Sequence, residues 1–536
     1  MEPHMSRLSF SLGALVLAVA GCAEPAEVAT SAHDLMIPDG VELWTSRGNV
    51  IPLCWIEPGD DDAKALVRDA IARTWATVAP ITVVWSESCP TSGDQPAVRV
   101  NLVRVDDTGA AGGNAALGTS GLSWPTDPIW CPTAAGGWQR CHAVGLVLPR
   151  DLAEPGARRV AEHIAIHEFG HVLGFSHEQD RVDAPPCMET VHTPATLLGP
   201  YDPASVMNYC AGHRTRLSEG DVAGVRAVYG SGAARTDALA DLDGDGRAEP
   251  IATNTNATYG LRSTGFGFTD WRVLTSAFYG QRATAYADLD ADGDADAIAV
   301  NDNAIFTLRS NGSTLGDWGM WTSDAFYGDR VTLIGDVDGD ARADVVAVNL
   351  TDTCLRRSDG QAFVGHACFG SRTYGTVQTD LADVDGDGRA DLIANYGTDG
   401  LWVRRARDPF GPYGPGFEIS LEPWTLYLWP FARASFTADR ELAFGDVDGD
   451  GRADALAVRF DGIFVRRSNG DSFLPEERWI DAPALGQRAT RFADVTGDGR
   501  VDAVLIDDDA DRVLVSTGDG FVPFGVPWTT GPFYTL

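Results

Sequence analysis

Asp383-Val384-Asp385-Gly386-Asp387-Gly388-Arg389-Ala390-Asp391 places carboxylates at the first, third, fifth and ninth positions of one short segment. Alternate acids with glycine between them describe a tight loop lined by hard oxygen atoms, which suits Ca²⁺. The residues that follow, Leu392-Ile393-Ala394, read as a strand, so the helices of an EF-hand are absent. The same loop recurs as Asp241, Asp243, Asp245 and Glu249, as Asp288, Asp290, Asp292 and Asp296, and as Asp336, Asp338, Asp340 and Asp344. Two further copies are Asp446, Asp448, Asp450 and Asp454, and Asp494, Thr496, Asp498 and Asp502. Successive starts differ by 47, 48, 47, 63 and 48 residues, and the long interval carries an aromatic and proline-rich insertion, Pro409 to Pro430. A period near 48 with short β-runs between loops predicts a propeller and not a helical solenoid. Six copies predict six blades, or seven if the terminal strands close the ring by pairing.

These copies resemble FG-GAP or VCBS-type repeats of calcium-bound β-propellers. The resemblance implies up to six structural Ca²⁺ ions, with the sixth loop weakest because Thr496 replaces an acid. Segments such as Leu308-Arg309-Ser310-Asn311-Gly312 and Phe326-Tyr327-Gly328 supply the other blade strands. Their aromatics are packing residues or, on the alternative reading, a ring that binds a glycan or matrix ligand.

Upstream, the texture differs. Val50 to Ile56, Ile81 to Trp85, Val98 to Val103 and Val144 to Leu148 read as strands. Ala63 to Val78 and Arg158 to Leu173 carry apolar residues at helical spacing. This order suits an α+β domain with one long helix under a sheet.

The second helix ends in His167-Glu168-Phe169-Gly170-His171-Val172-Leu173-Gly174-Phe175-Ser176-His177. Histidines four apart leave one face of a helix a turn apart, so both rings reach one Zn²⁺. Gly174 lets the chain turn and bring up His177 as third ligand. Three neutral imidazoles leave a fourth position open. Glu168, adjacent but rotated off the ligand face, is the candidate general base. His163 reads as a bystander. Ser205-Val206-Met207-Asn208-Tyr209 follows about thirty residues later.

Together, residues 45–230 resemble the metzincin zinc peptidases, and among them the astacins, on the His167–Asp183 and Tyr201–Tyr209 segments. The resemblance implies one catalytic zinc on His167, His171 and His177, with Glu168 as base. It implies Met207 beneath the imidazoles, and Tyr209 as a displaceable ligand that stabilises the oxyanion. Glu178 would anchor a mature N-terminus. The substrate would be a protein or peptide lying along Val144–Leu148 as the cleft edge.

The chain begins with an apolar run, Leu12 to Ala20, too short to span a bilayer. It ends in Val19-Ala20-Gly21-Cys22, which resembles a lipobox and implies a lipid anchor at Cys22. The alternative is an ordinary secretory signal. The expected organisation is signal peptide 1–22, tether 23–44, peptidase 45–230 and propeller 231–536, in an outer-membrane or surface lipoprotein or a secreted protein. Eight further cysteines predict disulfides in an exported chain. Cys131 with Cys141 and Cys354 with Cys368 are near enough in sequence to staple local hairpins; Cys54 with Cys89 and Cys187 with Cys210 is one pairing of the rest, and the spacing leaves the connectivity open. A net charge of −35 argues against nucleic acid as a partner.

Overall fold

A computed structural model describes residues 35–536 apart from 91–95, 107–110, 124–129, 133–137, 141–142, 186–193, 231–236, 371–373, 408–415, 418–421, 424–434, 482–485, 508, 532 and 535–536. Signal segment 1–22, Cys22 and most of the tether lie outside the described residues.

In the N-terminal half, Val50–Trp55, Thr82–Ser86, Ala97–Val105 and Val144–Pro149 run parallel, and Gly112–Ala115 joins antiparallel to the last of them. Across the sheet the order is Thr82–Ser86, Val50–Trp55, Ala97–Val105, Val144–Pro149, Gly112–Ala115. Val144–Pro149 is therefore interior and not the edge expected there; among the described residues Gly112–Ala115 is the edge strand on that side. The glycine-rich composition of that strand carries no β-pattern, so its sequence reads as a loop.

Helix α1 spans Asp61–Ala72 and α2 spans Trp75–Val78. They divide the single amphipathic stretch at Thr74, whose hydroxyl bonds back to the Ala70 carbonyl at 2.6 Å. Helix α3, Pro155–Val172, opens with proline in its first turn and Glu154 as N-cap. It lays Ile164, Phe169 and Val172 against the sheet residues Val100, Leu146 and Leu148. The Trp44 indole donates to the Val172 carbonyl at 2.7 Å, and the Tyr229 hydroxyl to that of Leu173, satisfying the carbonyls that the helix end leaves open. Helix α4, Glu219–Tyr229, has a capping box made by Ser218 and Asp221. The end of the expected tether is structural: Leu35–Pro38 pairs with Ala195–Leu198, and Leu35 is wholly buried.

From residue 237 the chain makes six four-stranded antiparallel sheets, over 237–276, 283–322, 331–370, 378–423, 441–481 and 489–523. The four strands of each are consecutive in sequence, so six blades form without strand exchange. One backbone bond joins each blade to the next: Ala295 N–H to Asp241 O, Ala343 to Asp288, Ala390 to Asp336, Ala453 to Asp383 and Val501 to Asp446, at 2.6 to 2.8 Å. The sixth, Ala248 N–H to Asp494 O at 2.7 Å, closes the ring.

Residues 32–536 form one compact unit. Ion pairs tie α3 to the fifth blade. Arg159 grips Asp439 through two bonds of 2.6 Å, and Arg440 meets Glu162 at 2.9 Å. Glu162 is fully buried and also pairs with Arg73 and Arg158. Glu219 of α4 accepts from the Thr379 amide and hydroxyl of the fourth blade.

Cys54–Cys89 and Cys354–Cys368 are disulfides, and Cys210 is disulfide-bonded. The pairings expected for Cys131, Cys141 and Cys187 involve side chains outside the described residues.

Candidate metal centres

His167, His171 and His177 converge, with one ring nitrogen from each within 4.8 Å of the others. The Nε2 atoms of His171 and His177 stand 3.0 Å apart. On the far side of each ring the chain fixes the tautomer. His167 Nδ1 lies 2.9 Å from the Val206 carbonyl and His171 Nδ1 lies 2.7 Å from that of Phe175. A carbonyl accepts only from N–H, so Nδ1 carries the proton and Nε2 keeps its lone pair. His177 Nδ1 stands 3.5 Å from Asp180. Burial, the largest cause, pushes His171 down to about 4 and His167 well below its ordinary range. These rings are therefore neutral, as ligands must be. Among the described residues His167 Nε2 is buried with no partner, an arrangement that costs stability unless something accepts its lone pair.

The turn that brings His177 round depends on Gly174, at φ +101°. The Gly170 position is equally constrained: a Cβ there would sit 2.3 Å from Met207 Sδ. Met207 is fully buried, with its Sδ against the helix at Gly170. The Tyr209 ring stacks on His167 at 4.9 Å and lies 4.4 Å from His177. Glu178 is buried and met by Arg181 at 3.2 Å and the Asp202 amide at 3.0 Å. The His163 ring lies 5.5 Å from that of His167, tilted by 50°, with Nδ1 turned to the Arg214 backbone.

Glu168 is 3% exposed with Oε2 unpartnered, and burial raises its carboxyl to about 8. Gly113 of the edge strand presses on it: a Cβ there would lie 2.5 Å from Glu168 Cγ and Oε1. Sequence reasoning missed Gly113, because only the fold brings this strand over the helix. Gly113→Ala is expected to push the Glu168 side chain out of its buried place, as a crystal structure of the variant would show. An unmoved Glu168 in that variant would separate the edge strand from this carboxyl.

The six acidic loops share one construction. The first-position carboxylate folds back on its own loop, as when Asp383 accepts from the Gly386 and Gly388 amides at 2.7 and 2.8 Å. The ninth-position carboxylates Glu249, Asp296, Asp344, Asp391, Asp454 and Asp502 are buried, and each takes two backbone amides, one from its own loop and one from a later strand. At the third position, Asp243, Asp290, Asp338, Asp385 and Asp448 each keep one buried oxygen without a partner. First-, third- and ninth-position acids converge in the loops at Asp241, Asp288 and Asp336. The fifth-position acids diverge. Asp245, Asp340, Asp387, Asp450 and Asp498 pair with the arginine two residues on, while Asp292 has Asp294 there instead. An orphaned buried oxygen beside two further carboxylates fits a hard cation. Thr496 replaces that carboxylate in the sixth loop.

Burial, the largest cause, raises Glu249, Asp296 and Asp454 to about 7, Asp344 and Asp391 to about 8, and Asp502 to about 6. In the unfolded chain such groups lose their protons near pH 4. Between about pH 4 and 8 the cation-free fold thus holds protons that the unfolded chain has released, and its stability falls as pH rises. A cation favours the ionised form. The rise in melting temperature on adding calcium is therefore expected to be larger at pH 8 than at pH 5. Equal rises, measured by scanning calorimetry, would detach these carboxylates from calcium.

An FG-GAP-like repeat model matches residues 446–505. No curated protein matches the chain. Among solved structures, an Agrocybe aegerita lectin described as recognising non-reducing terminal N-acetylglucosamine is 21% identical, covering 57% of this chain and 83% of its own, with a TM-score of 0.41. Myroilysin is 21% identical over 34% of this chain and 93% of its own, with a TM-score of 0.26. High choriolytic enzyme 1, a hatching-enzyme zinc-protease from Oryzias latipes, is 19% identical over 34% of this chain and 91% of its own, with a TM-score of 0.20. At these TM-scores the likenesses carry no functional weight.

Proposed function

We propose that the chain is a zinc-dependent endopeptidase of the astacin-like metzincin type, with its peptidase domain in residues 45–230 and a calcium-stabilised propeller in 231–536. The observation that carries this reading is the lone pair of His167 Nε2, buried without a partner beside His171 and His177 Nε2. His167, His171 and His177 would hold the metal, and bound zinc supplies a Lewis acid beside the scissile carbonyl.

The chain's own groups account for the rest. Among the described residues the edge strand Gly112–Ala115 is paired on one side only, so an extended peptide can add to its open side and lie above Glu168. Glu168 takes a proton from the attacking water and returns it to the nitrogen of the leaving amine as the C–N bond breaks. Its Oε2, buried and without another partner among the described residues, is placed to hold that proton between the two steps. The Tyr209 hydroxyl donates to the oxygen that gains charge in the tetrahedral intermediate.

Export through segment 1–22, with a lipid at Cys22 or simple secretion, places this activity at the cell surface or outside the cell, on extracellular proteins. The test is cleavage of a denatured protein substrate by the purified full chain. Cleavage should stop when a zinc chelator is added and return with added zinc. Cleavage that persists in metal-free enzyme would sink the reading.

A further inference from the structure

The outer strands of the first two blades carry the same unusual unit. Each strand opens opposite a serine, Phe268 facing Ser263 and Leu315 facing Ser310. A bulge follows, where Asp270 at φ +54° and Asp317 at φ +49° take the left-handed conformation. A residue with a Cβ is strained there, and bulges that recur at one place in a repeat re-aim the side chain that follows. Here that side chain is Trp271 in one blade and Trp318 in the other.

Both indoles stand open, 62% and 65% exposed. Neither is loose. Trp271 stacks on Tyr259 at 4.9 Å and 22°, and Trp318 stacks on Phe306 at 5.3 Å and 25°. An aromatic of this size left in water, yet stacked on a second ring and next in sequence to an aspartate, is poor design for a plain surface.

The fifth blade shows what the same place can hold. Its outer strand opens with Phe473 opposite Ser468, so Glu476 occupies the position of the two tryptophans. Phe464 occupies that of Tyr259 and Phe306. The Arg459 guanidinium lies 4.3 Å from the Phe464 ring centre and is held by both oxygens of Glu476, at 2.7 and 2.9 Å. There the blade fills its own site with a cation over a ring beside a carboxylate. In the first two blades the ring is present with an aspartate next to it in sequence, and among the described residues no cation lies over either indole.

We propose that Trp271 with Asp270, and Trp318 with Asp317, are two docking points for arginine or lysine side chains of a basic protein segment. Trp is the strongest of the side-chain rings for a cation, and a neighbouring carboxylate adds a charge pair. The net charge of −35 draws such a partner in from a distance. The proposal leans on the peptidase reading only in that a docked basic protein would be its substrate; binding itself needs no metal.

The test is the affinity of the full chain for a fluorescent oligoarginine peptide at physiological salt. The double variant Trp271→Ala/Trp318→Ala leaves the net charge unchanged, so general attraction to acid is untouched. Its affinity should fall about tenfold, with the melting temperature kept. Asp270→Asn/Asp317→Asn, which removes no ring, should weaken binding several-fold and serves if the first variant folds poorly. The Glu168→Gln enzyme should bind the peptide as tightly as the parent, which separates docking from catalysis. Unchanged oligoarginine affinity in both double variants would overturn the proposal. So would neutral oligosaccharide binding that the tryptophan variant alone abolishes while oligoarginine binding stays intact, since the platforms would then be sugar sites.

Discussion

Glu168→Gln should reduce peptide cleavage by about 10²- to 10⁴-fold, the range expected when a positioned general base is removed. The substitution keeps the size of a side chain that is 3% exposed, so the helix and its three histidines should keep their places. Zinc should remain bound, because His167, His171 and His177 are untouched and Glu168 lies outside the group whose ring nitrogens converge. The loss should appear in kcat and not in KM, since proton transfer is realised only in the transition state. Retained cleavage with zinc present would require another base, and the buried carboxyl would then be only a packing residue.

Glu162→Ala should destabilise the full chain by on the order of 3 to 5 kcal/mol, the usual cost of stripping one partner from a buried charge cluster. Glu162 is fully buried, and it answers Arg73 and Arg158 of its own half and Arg440 of the propeller. Without it, guanidinium groups face one another across the junction. Burial already lowers Arg440 to about 10, with Arg73 as the next cause. Because Glu162 sits on α3 shortly before His167, loosening this junction should also weaken zinc binding. Thermal unfolding with and without the substitution checks the first effect, and zinc titration checks the second. An unchanged melting temperature would show that the propeller and the helix are coupled by something other than this charge cluster.

Much of this was legible in residues alone. Six acidic loops at intervals of 47 or 48 residues, one of them stretched to 63 by an insertion, yield six blades, because each loop must end one strand and begin the next. The histidine spacing brings two rings to one helix face, and the turn at Gly174 brings up the third. What stayed hidden depends on contacts between segments far apart in sequence. Gly112–Ala115 has no strand pattern, and it acts as an edge only because Val144–Pro149 pairs with it. Leu35–Pro38 reads as tether but finds a partner in Ala195–Leu198. The fifth-position loop acids look like equal ligands in sequence, yet the arginine two residues on captures most of them. The charge cluster at Glu162 joins side chains nearly three hundred residues apart, and no local pattern could announce it. Ser218-Glu219-Gly220-Asp221 is an exception, a capping signal present in the sequence and passed over.

The most direct measurement is an anomalous difference map from crystals of the natively purified chain, recorded on either side of the zinc absorption edge. The account predicts one strong zinc peak within coordination distance of the Nε2 atoms of His167, His171 and His177. A map with no peak there, from protein that is folded and was supplied with zinc, would contradict it.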